Sequence, residues 1–363
     1  MPKNNLRIFI GPTDTARIGA TLADAFRKRG LKVTVVSGEL YYTQDGLKYD
    51  AVISRRGASI RRPRGMFQEI IKQLYHFLRF FFKHNTFIFI SSNTLLQDNM
   101  DLPILKLFGK KTIVWFMGSD IKHWESLEAA AKKAGLKYYA SKVQGAGPEA
   151  FKQKLRRIRR LEKYVDHILT APSDSQLITR EYVRFCIPLD INNIKYNNTP
   201  NRIPIVVHAP TDDKVKGTPY LLEAVEQLKK EGYDFEFYLF RETSNTEVRE
   251  TLTRADIAVD QLLGHSAAMF AVESMAAGCA VLGGNFPEFA DVPRELPVIH
   301  TNPDNIYQNL KMLLENPQLR RELGEKGRKY VEKYHDSLKI ADDFIKLLTT
   351  GKAERTYPAK QST

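Results

Sequence analysis

The sequence predicts an α/β protein with two domains, each built on a doubly wound parallel sheet. At 363 residues the chain is longer than one hydrophobic core usually serves, so two domains of ordinary size are expected. Short apolar strands alternate with helical segments, and their short connections imply right-handed parallel crossovers. This alternation begins near residue 6 and starts again near residue 205.

The first half follows the alternation from its first residues. Strands are predicted at 6–10, 31–36, 50–53, 86–90 and 112–117, helices at 20–29 and 66–83, and a very basic helix that runs into a strand within 151–170. The loop after the first strand, GPTDTARIG, lacks the G-x-G-x-x-G dinucleotide fingerprint, which disfavours an NAD site. It still places Asp14 and Arg17 at the carboxyl edge of the predicted sheet, where such folds bind ligands.

Charge is distributed unevenly along the chain. Residues 1–185 contain 33 Lys and Arg against 16 Asp and Glu, a net charge of +17, and residues 186–363 contain 22 against 26, a net charge of −4, which together give +13. The basic half indicates an anionic partner: a membrane surface, a phosphorylated lipid, a polyanion or nucleic acid. A merely soluble surface is the alternative, and no nucleic-acid recognition module is present in the sequence.

An arginine cluster precedes the helix predicted at 66–83. The stretch RRGASIRRPRG contains Arg61, Arg62 and Arg64, and the helix after it carries Phe, Ile, Leu and Tyr at helical spacing. A basic loop beside an aromatic-rich amphipathic helix is how a peripheral enzyme binds an anionic bilayer. A core-packing helix with a solvated loop is the alternative.

The strand predicted at 112–117 leads into the stretch GSD. Asp120 is predicted to cap the next helix, and its position at the carboxyl end of a central strand also makes it a candidate ligand-binding or catalytic residue. His123, three residues on, is a candidate to face the same site.

The second half repeats the pattern after an Asn- and Pro-rich segment at 186–203, which is predicted to be the interdomain linker. Strands are predicted at 205–208, 235–240 and 257–263, and helices at 219–231 and 269–277, with Arg241 at the end of the second strand. The predicted domains are therefore 1–185 and 204–335, followed by a helix at 336–349 and a tail at 350–363.

The stretch RADIAVDQLLGHSAAMFAVESMAAGCAVLGG, residues 254–284, reads as strand, turn, helix and strand. A loop of small residues feeds the helix start, where exposed N–H groups and the helix dipole favour a phosphate. Glu273 lies about one turn inside, where a carboxylate accepts hydrogen bonds from two ribose hydroxyls. A packed helix with one exposed Glu is the alternative. Lys216, at the carboxyl edge of the first strand of the same domain, is placed to neutralise a diphosphate.

Other features exclude several classes of protein. The longest apolar run is interrupted by Arg79, Lys83 and His84, so no transmembrane helix is expected, and the N-terminus lacks a signal-peptide pattern. Cys186 and Cys279 provide neither a disulfide framework nor a metal-ligand spacing, which favours reduced thiols in a cytosolic protein.

Several segments in this order resemble nucleotide-sugar-dependent glycosyltransferases of the group 1 type, which have the GT-B architecture of two Rossmann-like domains facing a cleft. The segments are DLPILKLFGKKTIVWFMGSDIK, VVHAPTDDKVKGT, the stretch at 254–284 and GRKYVEKYHD. The resemblance extends from about residue 6 to about residue 348. It implies a second domain that binds a nucleotide sugar, a first domain that binds the acceptor, and a final helix that crosses back onto the first domain.

The resemblance also assigns roles to residues of the second domain. Glu273 matches the family glutamate that holds the donor ribose, and Lys216 matches the lysine at the donor phosphates. The backbone of the helix start, Met269, Phe270 and Ala271, would face the diphosphate. The sequence departs from the family pattern at His265 in place of a glutamate, at Asp212, Asp213 and Lys214 in place of an arginine, and at Met117 in place of a histidine.

Candidate site residues therefore fall into three groups. Those for catalysis are Asp14, Asp120 and His265. Those for donor binding are Lys214, Lys216, Arg241, His265, Met269, Phe270, Ala271 and Glu273. Those on the acceptor or membrane side are Arg17, Arg61, Arg62, Arg64 and His123.

The activity implied is transfer of a sugar from a nucleoside-diphosphate sugar to an acceptor hydroxyl, with retention of configuration and without a metal or other cofactor. The expected partners are the nucleotide sugar, a glycan or lipid-linked acceptor and an anionic membrane surface, but not nucleic acid. Glycan or glycolipid biosynthesis in the cytoplasm, at the inner membrane face, is the expected setting. The alternative is a non-catalytic glycosyltransferase-like subunit that binds a membrane or an anionic partner.

Overall fold

The computed structural model describes residues 2–38, 48–53, 63–118, 120–133, 148–264, 267–284 and 295–357. Contacts between residues divide the chain into two compact units. The first consists of Met1–His123, Ala146–Pro188 and Ser337–Thr363, and the second of Trp124–Gly145 and Leu189–Asp336. The helix predicted at the end of the chain is thus grouped with the first unit, while residues 189–203 are grouped with the second.

The strands and helices alternate along both units. The strands are β1 (Arg7–Ile10), β2 (Lys32–Ser37), β3 (Ala51–Val52), β4 (Thr86–Ile90), β5 (Lys111–Trp115), β6 (His167–Leu169), β7 (Tyr182–Val183), β8 (Ile205–His208), β9 (Glu236–Leu239), β10 (Ile257–Val259), β11 (Ala280–Gly283), β12 (Val298–His300) and β13 (Thr356–Tyr357). The helices are α1 (Ile18–Lys28), α2 (Pro63–Lys83), α3 (Asp101–Leu107), α4 (Trp124–Lys133), α5 (Pro148–Tyr164), α6 (Asp213–Lys216), α7 (Thr218–Lys230), α8 (Asn245–Leu252), α9 (Met269–Ala277), α10 (Ile306–Glu315), α11 (Pro317–Tyr334) and α12 (Ser337–Thr350).

The first unit is built on a sheet in the order β13-β7-β6-β5-β4-β1-β2-β3. Only the β13–β7 pair within this sheet, as described, is antiparallel. The order reverses between β1 and β4, so the residues that follow these strands lie at a topological switch point. Helix α12 belongs to this unit: its Phe344 ring meets Phe26 of α1 edge-on at 6.0 Å, and Asp342 accepts a 2.7 Å hydrogen bond from Arg29 Nε.

The second unit is built on a parallel sheet in the order β12-β11-β10-β8-β9. Its order reverses between β8 and β10, which makes their carboxyl ends the switch point. Helix α9 connects β10 to β11, and every residue from Phe270 to Ala277 is buried. A helix with apolar residues on nearly all sides is stable only inside a core, which explains the sequence MFAVESMAA apart from Glu273 and Ser274.

The parallel α/β character of both halves is confirmed, and three elements have the predicted limits. The strands at 86–90 and 205–208 are β4 and β8, and the helix at 269–277 is α9. Gly278 ends α9 with a φ of 102°, a left-handed conformation that glycine adopts without strain. None of the helices in the described part of the chain is both long and apolar enough to cross a bilayer.

One local prediction is wrong. Asp120 does not cap a helix: α4 begins only at Trp124, and the carboxylate accepts from the N–H groups of Met117 and Gly118, which precede it. The turn at Gly118, with a φ of 120°, brings these two N–H groups to the aspartate. The segment APTDDKVKGT contains the short helix α6, which begins after Asp212 because its side chain accepts hydrogen bonds from two backbone N–H groups.

Candidate functional site

A buried ion pair lies at the carboxyl edge of the second sheet, where β8 and β10 diverge. Lys216, at the end of α6, places Nζ 2.7 Å from Oδ1 of Asp260, the residue that follows β10. The lysine side chain is 10% exposed and the aspartate side chain 2%. Because both charges are withdrawn from water, each depends on the other for its stability.

The same aspartate anchors the start of α9. Its Oδ2 accepts a 3.0 Å hydrogen bond from the backbone N–H of Ala268, and the N–H of Leu262 donates to the carbonyl oxygen of Lys216 at 3.0 Å. Gly217 allows the close approach, since a Cβ there would lie 3.0 Å from the Leu262 Cβ and the φ is 74°. One carboxylate thus joins the ammonium group to the helix start.

The start of α9 leaves backbone donors in this region. The first N–H groups of an α-helix have no intrahelical acceptor. At the N-cap of α9, Ala268 supplies no side-chain cap for them. These belong to Met269, Phe270 and Ala271. Together with the helix dipole they favour an anion.

His208 connects the elements that meet at the switch point of the second sheet. Its Nδ1 lies 2.7 Å from the carbonyl oxygen of Val259, and its Nε2 lies 2.9 Å from Oγ1 of Thr218. Burial lowers the pKa of His208 to about 4, so the ring is neutral at physiological pH. A carbonyl can only accept, so Nδ1 carries the proton and Nε2 accepts from the threonine hydroxyl. The histidine therefore connects β8, β10 and the start of α7.

Glu273 lies on α9 and is only 3% exposed. Its Oε1 accepts a 2.9 Å hydrogen bond from Arg249 Nε, and Asn245 Nδ2 lies 3.2 Å from Oε1 and 3.3 Å from Oε2. Arg249 and Asn245 both belong to α8. The carboxylate is therefore oriented by a guanidinium and an amide, and most of its accepting capacity on Oε1 is used.

The acidic residues of the α6 region have structural partners. Asp212 accepts from the backbone N–H groups of Lys214 and Val215, and Asp213 accepts from Arg241, whose Nη2 lies 2.8 Å from Oδ2. Arg241 and Lys214 are both exposed. Arg241 is consequently balanced by Asp213, whereas the ammonium of Lys214 lies at the surface.

In the first unit, Asp14 is held by three donors. The backbone N–H groups of Gly19 and Ala20 donate at 2.7 and 3.0 Å, and the Tyr49 hydroxyl donates at 2.7 Å. Burial raises the pKa of Asp14, although these hydrogen bonds oppose the shift. Its geometry is that of a residue that caps α1. The neighbouring Arg17 adopts a left-handed backbone conformation with a φ of 65°.

Asp120 has a different environment at the carboxyl end of β5. Oδ1 accepts from the N–H groups of Met117 and Gly118 at 3.1 and 3.0 Å, whereas Oδ2 is buried without a hydrogen-bond partner in the described part of the structure. Burial raises the pKa of Asp120 to about 6, and the negative charge of Asp174 adds to the shift. Lys122 pairs with Asp174 at 3.4 Å. Asp120 thus combines an unsatisfied oxygen with a pKa near neutrality.

The remaining candidates on the acceptor or membrane side are partly described. The His123 ring packs against the Phe151 ring at a centroid distance of 4.8 Å. Arg61 and Arg62 lie outside the described residues, and Arg64 lies in α2 without a described side chain. His265 also lies outside the described residues.

Comparison with known proteins agrees with this arrangement. Residues 219–346 match a family model described as glycosyl transferase-like. Among solved structures, sucrose-phosphate synthase from Thermosynechococcus elongatus is 13% identical, with a TM-score of 0.65 over 94% of this chain and 97% of that chain. The fold is GT-B, and the matched residues 219–346 lie mostly in the second unit.

Two further glycosyltransferases share this GT-B fold over almost their whole length. WaaG, a glycosyltransferase involved in lipopolysaccharide biosynthesis, is 13% identical, with a TM-score of 0.58 over 95% of this chain and 100% of that chain. An alpha-glucosyltransferase in complex with UDP-glucose and DNA containing an abasic site is 12% identical, with a TM-score of 0.60 over 94% and 98%. The comparison with curated protein sequences gave no match.

Within the second unit, the structure brings Lys216 and the start of α9 together through Asp260. It also places three residues there that the sequence analysis did not identify: His208, Asp260 and Arg249. Asp260 was available as a signal, because a carboxylate interrupts the apolar run IAVDQLL at the sheet edge. The helix that carries Arg249 was signalled by Ser244, whose Oγ accepts from the N–H of Glu247 three residues on.

Proposed function

We propose that the chain is a metal-independent, retaining glycosyltransferase that moves a sugar from a nucleoside-diphosphate sugar to an acceptor hydroxyl. The observation that carries the proposal is the linkage of Lys216 through Asp260 to the backbone at the start of α9. It lies at the switch point of the domain that matches the glycosyl transferase-like family. Two positive groups suited to a diphosphate are thereby fixed relative to one another.

The chemistry needs positive charge at the leaving group. As the bond from the anomeric carbon to the diphosphate oxygen breaks, negative charge grows on the phosphates, and fixed donors there lower the barrier. An ammonium group has three N–H donors, and Asp260 accepts from Lys216 at one position. The others are available for the diphosphate, alongside the first N–H groups of α9. We propose that these donors replace a divalent cation.

Glu273 is proposed to hold the ribose. A carboxylate offers about four accepting positions, and the contacts to Arg249 and Asn245 are concentrated on Oε1. Oε2 therefore retains capacity for a ribose hydroxyl. Arg249 and Asn245 hold the carboxylate in place before the donor arrives, which reduces the ordering cost of binding.

Retention is proposed through attack on the face from which the diphosphate departs. The acceptor oxygen forms its bond to the anomeric carbon while the bond to the diphosphate oxygen breaks, and the acceptor proton passes to the departing phosphate oxygen. Asp120 is the preferred base if the enzyme instead inverts, because its Oδ2 has no partner in the described part of the structure. Asp14 is less suited, since three donors already bind its carboxylate.

The acceptor is proposed to be a glycan or a lipid-linked sugar in polysaccharide or glycolipid biosynthesis, used at an anionic membrane surface. The net charge of +17 over residues 1–185 supports this setting.

A panel of nucleoside-diphosphate sugars, assayed for hydrolysis and for transfer, tests the proposed activity with and without EDTA. We expect one donor to be consumed equally in both conditions, and Lys216→Ala and Glu273→Ala to remove most of the turnover. Lys326→Ala is the matched control, since this lysine is exposed on α11 of the same unit. Turnover at the wild-type level in both site variants would contradict the site assignment, and loss of turnover in EDTA would contradict metal independence.

A non-catalytic binding subunit is the second candidate. The observation in its favour is that Lys216 and Glu273 both have protein partners, Asp260 and Arg249. Thermal stabilisation by nucleoside diphosphates distinguishes the two functions. A rise in the melting temperature that Lys216→Ala abolishes supports a working donor site, and no response to any nucleotide supports the binding subunit.

A further inference from the structure

Helix α2 carries more apolar surface than its own domain covers. Phe77, Phe80 and Phe81 are buried in the core of the first unit. The adjoining side of the helix presents six large apolar side chains that are 42% to 73% exposed: Ile70, Ile71, Leu74, Tyr75, Leu78 and Phe82. Their spacing of three and four residues places them along one face. An amphipathic helix normally keeps only its buried face apolar, so this second apolar face requires an explanation.

Helix α3 extends the exposed apolar face. Leu107 and Phe108, at its end, are 82% and 62% exposed. The Phe108 ring meets Phe81 of α2 edge-on at 5.2 Å, and Phe81 meets Phe82 at the same distance. The ends of the two helices therefore lie side by side. We call the eight residues of this region the α2–α3 surface: Ile70, Ile71, Leu74, Tyr75, Leu78, Phe82, Leu107 and Phe108.

Basic residues flank the α2–α3 surface. Lys83 and Lys106 are exposed beside Phe82 and Leu107 in the chain. Lys106 Nζ donates to the carbonyl oxygen of Lys163 at 3.0 Å, which places α5 next to α3. Helix α5 contains seven Lys and Arg against two Glu in the sequence PEAFKQKLRRIRRLEKY. An apolar strip thus borders a strongly basic one.

This combination fits a lipid bilayer better than a protein partner. The cores of protein interfaces are depleted of lysine, whereas an anionic bilayer accepts apolar side chains at the acyl boundary and attracts Lys and Arg to its headgroups. We propose that the α2–α3 surface binds an anionic membrane, with Phe82, Leu107 and Phe108 entering the acyl boundary and α5 contacting the headgroups. This inference rests on the proposed function, which places the reaction at a membrane, and it specifies the surface that reaches it.

Flotation of the full-length protein with phosphatidylcholine vesicles, with and without phosphatidylglycerol, tests the proposal. We expect the wild type to bind only the anionic vesicles and to be released by salt. Leu107→Asp and Phe82→Asp should each weaken binding by about tenfold or more, because each removes a large side chain from the acyl boundary. Met312→Asp is the matched control, since this methionine is 38% exposed on α10 of the second unit.

Every outcome bears on the proposal. The proposal is wrong if the wild-type protein does not bind anionic vesicles. It is also wrong if the Leu107→Asp and Phe82→Asp variants bind these vesicles as well as the wild type does. Sedimentation velocity adds a further test: a dimer in lipid-free buffer that Leu107→Asp converts to monomer would assign the α2–α3 surface to self-association instead. Circular dichroism and the melting temperature verify that both variants fold.

Donor hydrolysis in lipid-free buffer separates this proposal from the proposed function. Leu107 and Phe82 lie outside the donor site, so their variants should hydrolyse the donor at the wild-type rate. Vesicle binding by a protein that uses no donor would contradict the function and leave the α2–α3 surface as a membrane-binding surface. Donor hydrolysis together with flotation of the variants at the wild-type level would support the proposed function and contradict membrane binding by the α2–α3 surface.

Discussion

The contact between Lys216 and Asp260 predicts a strong energetic coupling that a double-mutant cycle measures. The variants are Lys216→Met, which keeps most of the side-chain volume without the charge, Asp260→Asn, and the double variant. The two side chains are 10% and 2% exposed and their charged atoms are 2.7 Å apart. Removing one partner of such a pair leaves the other charge buried and costs about 3 to 5 kcal/mol.

The double variant should be much less damaged than the sum of the two single variants. It buries no unpaired charge, and an amide at position 260 can still accept from the Ala268 N–H through its carbonyl oxygen. We therefore expect a coupling energy of about 2 to 3 kcal/mol, at the upper end of what contacting residues show. The hydrogen bond to Ala268 is excluded from this coupling because the Lys216→Met change does not alter it.

Hydrogen exchange read by mass spectrometry is the suitable assay, because peptides from β8, β10 and α9 report opening of the second unit separately from the first. Protection of these peptides should fall in both single variants and partly recover in the double variant. Additivity within about 0.5 kcal/mol would refute the reasoning, since it would mean that the two side chains do not interact. Peptides from β1 and β4, in the first unit, are the internal control and should exchange at the wild-type rate.

Three further predictions concern neighbouring charges. Glu273→Gln should raise the donor KM and lower stability by about 3 kcal/mol, because the Arg249 guanidinium loses its buried carboxylate; steady-state kinetics and urea unfolding measure both, and an unchanged KM would contradict the ribose role. If Asp120 is a base, kcat/KM should rise as pH increases through about 6, and Asp120→Asn should remove that limb, whereas a pH-independent rate would speak against a base. Because burial lowers the His208 pKa from 6.5 to about 4, its contribution to stability is full above pH 6.5 and is lost as pH falls toward 4. That loss amounts to about 3 kcal/mol, and urea titrations of wild type and His208→Asn across this range should differ in slope.

Local signals in the sequence were sufficient to predict the limits of those elements that depend on neighbouring residues. The limits of α9 follow from an apolar run without breaks and from Gly278, whose left-handed conformation ends the helix. The limits of β4 follow from a short β-branched and aromatic run that ends in Ser91 and Ser92. In both cases residues within a few positions of one another determine the outcome.

Contacts between distant residues were not predictable in this way. Lys216 and Asp260 are 44 positions apart, and Arg249 and Glu273 are 24 apart. The sequence analysis found Lys216 from its position at the edge of the predicted sheet and Glu273 from its position about one turn inside a helix, but no periodicity connects either residue to its partner. The prediction that Asp120 caps a helix is wrong for a related reason. The turn at Gly118 directs its carboxylate toward the preceding backbone rather than the following helix.

The α2–α3 surface was also not predictable from the sequence pattern. Periodicity identified Met66 to Lys83 as a helix with apolar residues, and it could not distinguish a core-packing helix from one that faces a membrane. The structure shows that α2 packs Phe77, Phe80 and Phe81 into the core and also exposes apolar side chains to solvent, with Phe82 73% exposed. Only the three-dimensional position of the sheet decides which side of an apolar helix is covered.

The pairing of Lys216 with Asp260 bears directly on how a donor site without a metal could work. A free lysine at a sheet edge has many rotamers, and ordering one costs about 1.5 to 2 kcal/mol each time a ligand binds. In this domain folding already orders the lysine side chain, because the Asp260 carboxylate binds both its ammonium group and the backbone at the start of α9. The donors that face a departing diphosphate would then be in place before the reaction, which is the condition under which electrostatic stabilisation of a transition state is most effective. Asp260→Asn should therefore lower kcat more than it raises the donor KM, whereas an effect on KM alone would show that the aspartate serves binding and not preorganisation.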